Sequence, residues 1–133
     1  MIIAGYFTEV FSQHSIVGNK KFDLKSGEDS ETDRGGLRIV DDENNRTASG
    51  QLITQYENKQ PYIQFTCAVD GDIEDYCQDL IKETPSELPT WTLTHISGDV
   101  YVGTGTIVGD VKPNRNAGTL QLKVAFEDDL LRT

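Results

Sequence analysis

Residues 91–129 read WTLTHISGDVYVGTGTIVGDVKPNRNAGTLQLKVAFEDD, and they carry the clearest pattern in the chain. Apolar and polar residues alternate in three pieces that turn residues separate, which predicts three successive β-strands. The last piece alternates strictly. One face carries Leu120, Leu122, Val124 and Phe126, and the other carries Gln121 and Lys123. Since side chains on a strand point alternately to its two faces, we expect the first face to lie in the core.

The glycines of the middle piece do not indicate a nucleotide site. Gly103, Gly105 and Gly109 have the wrong spacing for a phosphate-binding loop, and no helix follows them. Glycines within a strand more often mark a bend or a close approach of two backbones. Asp70, Asp72 and Glu74 resemble the start of a calcium loop, but the glycine and the final glutamate of that motif are missing. The sequence therefore predicts no metal, no cofactor and no catalytic residue, and hence no enzyme.

One helix is predicted, at about residues 71–83. Apolar residues recur there at helical spacing, with Tyr76, Cys77 and Leu80 on one stripe. Asp70 or Asp72 is suited to cap its first turn, and Pro85 ends it. Cys77 on this stripe and Cys67 on the preceding strand both point to the core. Two buried free thiols are favoured over a disulfide or a metal pair.

Shorter strands are predicted before the helix. They are a strand or arm at 2–7, a hairpin over 15–24 with Gly18-Asn19 at its turn, and a short strand at 37–40. Residues 47–57 and 61–69 are predicted to form a long β-hairpin around residues 58–60. Its first strand is only weakly apolar, which favours pairing with a neighbouring chain.

These elements predict a mainly β fold, a two-sheet sandwich or open barrel with one packed helix and a long hairpin. The predicted core residues are Phe65, Cys67, Tyr76, Cys77, Leu80, Leu120, Leu122, Val124 and Phe126. The length of 133 residues indicates a single domain over 1–133. Within it, residues 25–36 contain no large apolar side chain and are predicted to be a flexible acidic loop.

The charge limits the classes of partner. The chain has 12 basic and 22 acidic residues, a net charge of −10. Direct binding of nucleic acid requires clustered Lys and Arg, so an acidic surface that repels phosphates is expected instead. The first residues resemble neither a signal peptide nor a membrane segment, so cytoplasmic synthesis without membrane binding is the expectation.

The order of these features resembles the tail tube proteins of bacteriophages, in particular the short single-domain proteins of contractile-tailed phages. Four stretches carry the similarity: GEDSETDRGGLR (27–38), GQLITQYENKQPYIQFTCAVD (50–70), WTLTHISGDVYVGTGTIVGDV (91–111) and NAGTLQLKVAF (116–126). They cover roughly the C-terminal three quarters of the chain, and none of them is an active-site signature.

The resemblance implies a virion structural protein that forms hexameric rings, which stack into a hollow tube. The implied partners are other copies of the chain, a tail sheath, a tape-measure protein and baseplate proteins. DNA would pass through the lumen without specific binding. The implied location is the virion tail, after assembly in the host cytoplasm.

Two sets of residues are then candidates for assembly roles. The outward residues of the two clearest strands are candidates for the lumen face: Gln64, Thr66, Gln121 and Lys123. The acidic loop is the candidate for ring-to-ring contact, through Glu28, Asp29, Glu31, Asp33 and Arg34, with residues 41–46 as a second candidate.

Two alternative functions remain open at the level of sequence. One is a tube initiator, a tube terminator or a baseplate component on the same fold. The other is a small β binding module for a sugar or peptide. Its binding site would need aromatic side chains from the set Tyr56, Tyr62, Trp91 and Tyr101.

Overall fold

The structure, a computed structural model, describes residues 2–128 and 130–133. The described residues form one helix, α1 (Gly71–Glu83), and ten strands. The strands are β1 (Phe7–His14), β2 (Gly18–Phe22), β3 (Glu31–Asp33), β4 (Gly36–Ile39), β5 (Tyr56–Lys59), β6 (Tyr62–Ala68), β7 (Thr90–His95), β8 (Val100–Val108), β9 (Thr119–Phe126) and β10 (Leu131–Arg132). The predicted mainly β fold with one packed helix is confirmed.

Eight strands form one antiparallel sheet that curls back on itself. Its order is β2-β1-β7-β8-β9-β6-β3, with β10 beside β8. The chain that follows β2 also pairs with β6, through a bridge between Leu24 and Cys67. The Lys25 amide donates to the Thr66 carbonyl at 2.9 Å, and the Ala68 amide donates to the Asp23 carbonyl at 2.7 Å. The hydrogen-bonded path therefore runs all the way round, which gives a barrel and removes most free sheet edges.

The three strands predicted in residues 91–129 are β7, β8 and β9. The first half of β8 pairs with β7, and the second half pairs with β9 from Gly105 onward. Along β9 the predicted apolar face is buried, whereas Gln121 and Lys123 are exposed. A Cβ atom at position 105 would lie 2.0 Å from the Ala125 carbonyl oxygen. Gly105 thus serves the close backbone approach that strand glycines often mark.

The core fills the barrel and the space beneath the helix. All nine predicted core residues lie in this single cluster. Trp91 is fully buried at its centre and stacks on Phe22, with ring centroids 5.7 Å apart. The Trp91 indole donates a hydrogen bond to the Gly105 carbonyl at 3.0 Å. The buried indole thus has a polar partner at the position where β8 passes from β7 to β9.

Helix α1 begins where the predicted cap lies. The Asp70 side chain accepts a hydrogen bond from the Ile73 amide at 2.9 Å, which satisfies one free donor of the first turn. The apolar stripe of the helix packs into the core, and Leu80 is fully buried. The Tyr76 hydroxyl donates to the Gly18 carbonyl at 2.9 Å and lies 3.1 Å from the Ser12 hydroxyl. The helix is therefore tied to the first two strands as well as covering the core.

The first hairpin lies earlier in the chain than the sequence predicts. Of the two possibilities for residues 2–7, a strand or an extended segment outside the sheet, the strand is wrong, because β1 starts at Phe7. The predicted turn at Gly18-Asn19 is also wrong, because the turn lies at 15–17. Nδ1 of His14 accepts hydrogen bonds from the amides of Ile16 and Val17 and closes the turn. The opposite ring nitrogen then donates to the Glu87 carbonyl at 3.0 Å. The missed signal is the buried His14, whose side chain takes the place of a turn-forming residue.

The long hairpin is present, but its strands are not the predicted ones. Residues 47–57 do not pair with residues 61–69, because β5 pairs with β4 and β6 pairs with β9 and β3. The hairpin runs over residues 36–59 instead, and the Val40 amide donates to the Gln55 carbonyl at 2.7 Å beyond the two strands. We call residues 36–59 the arm. Gln60 and Pro61 follow the arm, and the Pro61 carbonyl accepts a hydrogen bond from the Phe126 amide at 2.9 Å, so the chain enters the barrel there.

Residues 25–36 are not a continuous loop, contrary to the sequence prediction. Glu31 to Asp33 form strand β3, which pairs with Gln64, Ile63 and Tyr62 of β6. The segment lacks apolar side chains, so no alternation indicates a strand there. Residues 31–33 lie along the edge of β6, and the hydrogen bonds to β6 make this segment a strand.

Both cysteines are free and buried in the described structure. Burial raises the pKa of Cys67 and of Cys77 from the usual 9.0 to about 12, and in Cys77 the nearby Cys67 adds to the effect. We therefore expect a thiol reagent at pH 8 to react slowly with the native protein and fast with the unfolded one, as followed by release of its chromophore. Because folding raises the pKa of both thiols, their contribution to the free energy of unfolding is fully present below pH 9.0. This contribution is lost as the pH rises toward 12. Fast stoichiometric labelling of folded protein would contradict this burial.

Candidate assembly surfaces

The four residues predicted to face a lumen form one polar patch on the outside of the barrel. Gln64 pairs with Lys123 and Thr66 pairs with Gln121 in the β6–β9 register. The intervening residues of both strands are buried in the core, so these four side chains point away from it. The sequence therefore predicts which face they share, and their lumenal role stays a prediction.

Lys123 is exposed on this patch but contacts an aromatic neighbour. Its ammonium group lies 4.6 Å from the centre of the Tyr62 ring, within the range of a cation–π contact. The Tyr62 hydroxyl donates to the Glu31 carboxylate, and this bond raises the pKa of Tyr62. Glu31, Gln64 and Lys123 lie in one row across three strands. A carboxylate on the same face thus offsets the positive charge that Lys123 brings to the patch.

The residues predicted for ring-to-ring contact fall into two groups. Glu28 and Asp29 are exposed and belong to no strand, so they are available to another chain. Asp33 and Arg34 are engaged within their own chain. The Arg34 side chain donates to the Leu130 carbonyl at 3.2 Å, and its guanidinium lies 5.8 Å from the centre of the Tyr101 ring. Arg34 therefore holds the C-terminal segment rather than a free loop.

Asp33 fixes the base of the arm. Its carboxylate accepts a hydrogen bond from the Gly35 amide at 2.8 Å and forms an ion pair with Arg38 at the start of the arm. The bond from Gly35, and after it the guanidinium of Arg38, hold the pKa of Asp33 below the usual 3.8. Because the pKa is lowered on folding, the stabilisation is present above pH 3.8 and is lost as the pH falls through the folded-state pKa.

We expect Asp33→Ala to loosen the arm and leave the barrel intact. The lost hydrogen bond and ion pair are worth about 1 kcal/mol, so arm amides should exchange with deuterium several times faster. Hydrogen–deuterium exchange with peptide mass analysis measures this. Asp110→Ala, which removes an exposed ion pair to Lys112, is the matched control. Unchanged exchange in the arm of Asp33→Ala would show that Asp33 does not anchor it.

The arm is an amphipathic ribbon. In the β4–β5 register Ile39 pairs with Tyr56, and Leu37 lies two residues before Ile39 on the same face. The other face carries Arg38, paired across the ribbon with Glu57, together with Lys59. One side of the ribbon therefore carries three large apolar side chains beside Asn58, and the other side is charged; we call the first the apolar side.

Nothing in the described chain covers the apolar side of the arm. No residue of the arm is buried, and Leu37 is 69% and Ile39 is 60% exposed. A two-stranded hairpin is only marginally stable in water by itself. An exposed apolar ribbon with unpaired strand edges is also a site for association with another chain.

Several clefts open on the surface of the described structure, and His95, Ser97 and Asp99 line one of them. Another, of about 650 Å³, lies at the base of the arm between Lys59, Pro61, Phe126 and Glu127. The described residues contain no cluster of His, Cys, Asp and Glu that could hold a metal ion. Of the four aromatic residues named for a small binding module, Trp91 is buried in the core and Tyr56 lies on the arm, whereas Tyr62 and Tyr101 are partly exposed on the barrel.

Comparison with known family models and with curated protein sequences finds no match. Over the part of the chain that the structure describes, no helix is long and apolar enough to cross a membrane. The function is therefore inferred from the chain's own surfaces. Of these, the apolar side of the arm is the one that sequence reasoning missed. Its signal is the alternation at Leu37 and Ile39, which only the pairing with Tyr56 makes meaningful.

Proposed function

We propose that this protein is a structural subunit that self-assembles into stacked rings, most simply hexameric, to form the inner tube of a contractile phage tail. The observation that carries the proposal is the arm, which offers an apolar ribbon that its own chain leaves uncovered. Such a ribbon is stabilised when another chain covers it. The resemblance of the four sequence stretches to tail tube proteins supplies the kind of assembly.

The size of the arm fits a stable contact. A standard interface engages about 20–30 residues on each side. Residues 36–59 supply a surface of that order, and nearly all of them are exposed. In a repeating assembly each copy both gives an arm and receives one, so every apolar ribbon is covered.

The outer surface of the barrel has the polar patch that the lumen wall of such a tube requires. Its outer patch at Gln64, Thr66, Gln121 and Lys123 is polar, and Glu31 offsets the one lysine. The net charge of −10 disfavours adhesion of phosphate groups. A lumen lined by this patch would let DNA pass without specific binding during ejection.

The proposal includes the partners that such a tube requires. The tape-measure protein occupies the lumen before the DNA, a sheath surrounds the tube, and a baseplate starts it. The subunit would assemble in the host cytoplasm and end in the virion tail.

Sedimentation velocity over a wide range of protein concentration tests the proposal. We expect a shift from monomer to rings and then to much larger particles as the concentration rises, because stacking follows mass action. Growth that stops at rings would favour a tube initiator or terminator. A monomer at every concentration would contradict self-assembly.

A further inference from the structure

We propose that the arm is a hinged element with two resting positions: the one seen in the structure, and a second in which its base closes on Glu127 and Asp128, just after β9. The pivot lies where the arm joins the barrel, at residues 35–36 on one side and at Pro61 on the other. The inference goes beyond the proposed function, because it concerns the arm of a single chain and holds whether or not the chain forms tubes.

The arm is joined to the barrel at few points. Strands β4 and β5 form a two-stranded sheet of their own, separate from the eight-stranded sheet. Among the described residues, the backbone hydrogen bonds of residues 36–59 all have their partners within the arm. No residue of the arm is buried. An element that is held by its own ladder and lies outside the core can turn as one body about its two connections.

The two connections are built as a pivot. Gly35 and Gly36 have φ values of +76° and +96°, in a region that glycine adopts at little cost. A Cβ atom at position 35 would lie 2.5 Å from Cγ of Pro61 and 2.9 Å from the Lys59 carbonyl oxygen. The two connections therefore touch at one point. The glycines supply the freedom in φ and ψ that a hinge must absorb.

One ion pair sets the angle at the pivot in the structure. Asp33 belongs to β3 of the barrel and Arg38 belongs to the arm, so their contact spans the two glycines. The Arg38 guanidinium also donates to the Gly35 carbonyl at 3.5 Å. The Arg38 and Asp33 side chains are 43% and 24% exposed. Ion pairs open to solvent contribute little free energy, so this brace opens at a modest cost.

The cleft of about 650 Å³ at the base of the arm gives room for a second position. Lys59 lines it from the arm, and Glu127 and Asp128 line it from the barrel. Both carboxylates are exposed and form no ion pair within the described residues, whereas Lys59 pairs with Glu57 of its own strand. Leu131, which is 65% exposed, lines the same cleft. Closing brings Lys59 toward two carboxylates and covers an apolar side chain, so the second position has stabilising contacts of its own.

The two positions are close in free energy, because closing exchanges one exposed ion pair for another. Both are therefore populated at equilibrium. A partner that binds the arm in one position shifts this equilibrium by the difference between its affinities for the two. The hinge thus offers a way to regulate association through the arm without any change in the barrel.

Pulsed electron paramagnetic resonance between two spin labels tests the hinge. Ala48→Cys labels the distal part of the arm and Gln121→Cys labels the outer face of β9, and both positions are exposed. The natural Cys67 and Cys77 are buried with pKa values of about 12, so they label slowly. Doubly labelled chains are diluted with unlabelled protein, so that each distance is measured within one chain. We expect two distance populations, one of which matches the structure.

Two further changes to the labelled chain should shift the populations in opposite directions. Asp33→Asn keeps an acceptor for the Gly35 amide and removes the ion pair with Arg38, so the second population should rise about threefold. Lys59→Gln removes the cation of the closed position, so the second population should fall. Lys112→Gln also removes an exposed, ion-paired lysine but lies outside the cleft, and this matched control should leave both populations unchanged.

A single narrow population in both the labelled chain and its Asp33→Asn variant would show a rigid arm and overturn the proposal. One broad, continuous distribution would show a flexible arm without a second position and would overturn it too. A second population that Lys59→Gln leaves unchanged would rule out the closing contact. None of these results bears on the tube, which sedimentation detects separately. Two populations in a chain that never assembles would support the hinge and contradict the tube.

Discussion

We expect Gly105→Ala to destabilise the fold by about 3 kcal/mol, at the upper end of what overpacking costs. The added Cβ would lie 2.0 Å from the Ala125 carbonyl oxygen and 2.7 Å from the Phe126 Cα. Both obstacles are backbone atoms of β9, so no side-chain rotation relieves the clash. The strands must separate where the Gly105 carbonyl also accepts the Trp91 indole hydrogen bond.

Urea unfolding followed by Trp91 fluorescence measures this loss. Gly71→Ala is the matched control, because a Cβ there meets nothing within 4 Å and the backbone is not in a glycine-only conformation. We expect the control to change the free energy of unfolding by no more than about 1 kcal/mol. Equal stability of the two variants would mean that β8 and β9 are not joined as closely as described.

The second large effect concerns assembly rather than folding. A triple variant, Leu37→Ser with Ile39→Ser and Tyr56→Ser, should fold normally and fail to assemble. If each side chain contributes about 1 kcal/mol to the contact, the concentration required for assembly rises about a hundredfold. All three side chains are exposed in the single chain, so their loss leaves the core unchanged.

The thermal midpoint and the sedimentation profile of this variant separate the two effects. Ile16→Ser removes an equally exposed apolar side chain outside the arm and should assemble like the unaltered protein. Normal assembly of the triple variant would show that the apolar side of the arm is not an interface. A lowered thermal midpoint would show that the arm packs on its own barrel.

The local sequence pattern was sufficient to predict the helix and the strand that pack into the core. The helix spans residues 71–83, as the spacing of Tyr76, Cys77 and Leu80 predicts, and β9 buries the predicted face. Hydrophobic burial acts on each residue separately, so alternation and helical spacing reveal it without knowledge of which strands pair.

The partners of the strands could not be predicted from the local sequence pattern. Alternation in residues 61–69 indicates a strand with one buried face, and β9 and β3 satisfy it as well as a preceding strand would. The preceding strand β5 is not available to β6, because it pairs with β4 instead. Strand β3 has no apolar pattern, because its stability comes from the edge of β6 that it occupies.

For the surface residues too, those set by local alternation were predictable and those set by strand pairing were not. The polar patch was predictable because its residues are the complement of a buried face, and the register places Gln64 beside Lys123. The contact of Arg34 with Leu130 was not predictable, since it joins distant parts of the chain. Asp33 contacts Gly35 and Arg38 nearby in sequence, but no local pattern indicates these contacts. The apolar side of the arm requires the pairing of Ile39 with Tyr56, residues that lie far apart in sequence.

Electron microscopy of the concentrated, purified protein in negative stain tests the central claim most directly. We expect rings in end views and hollow, regularly striated tubes in side views, which the triple arm variant should not form. Folded single particles of monomer size at every concentration, with no rings and no tubes, would contradict it.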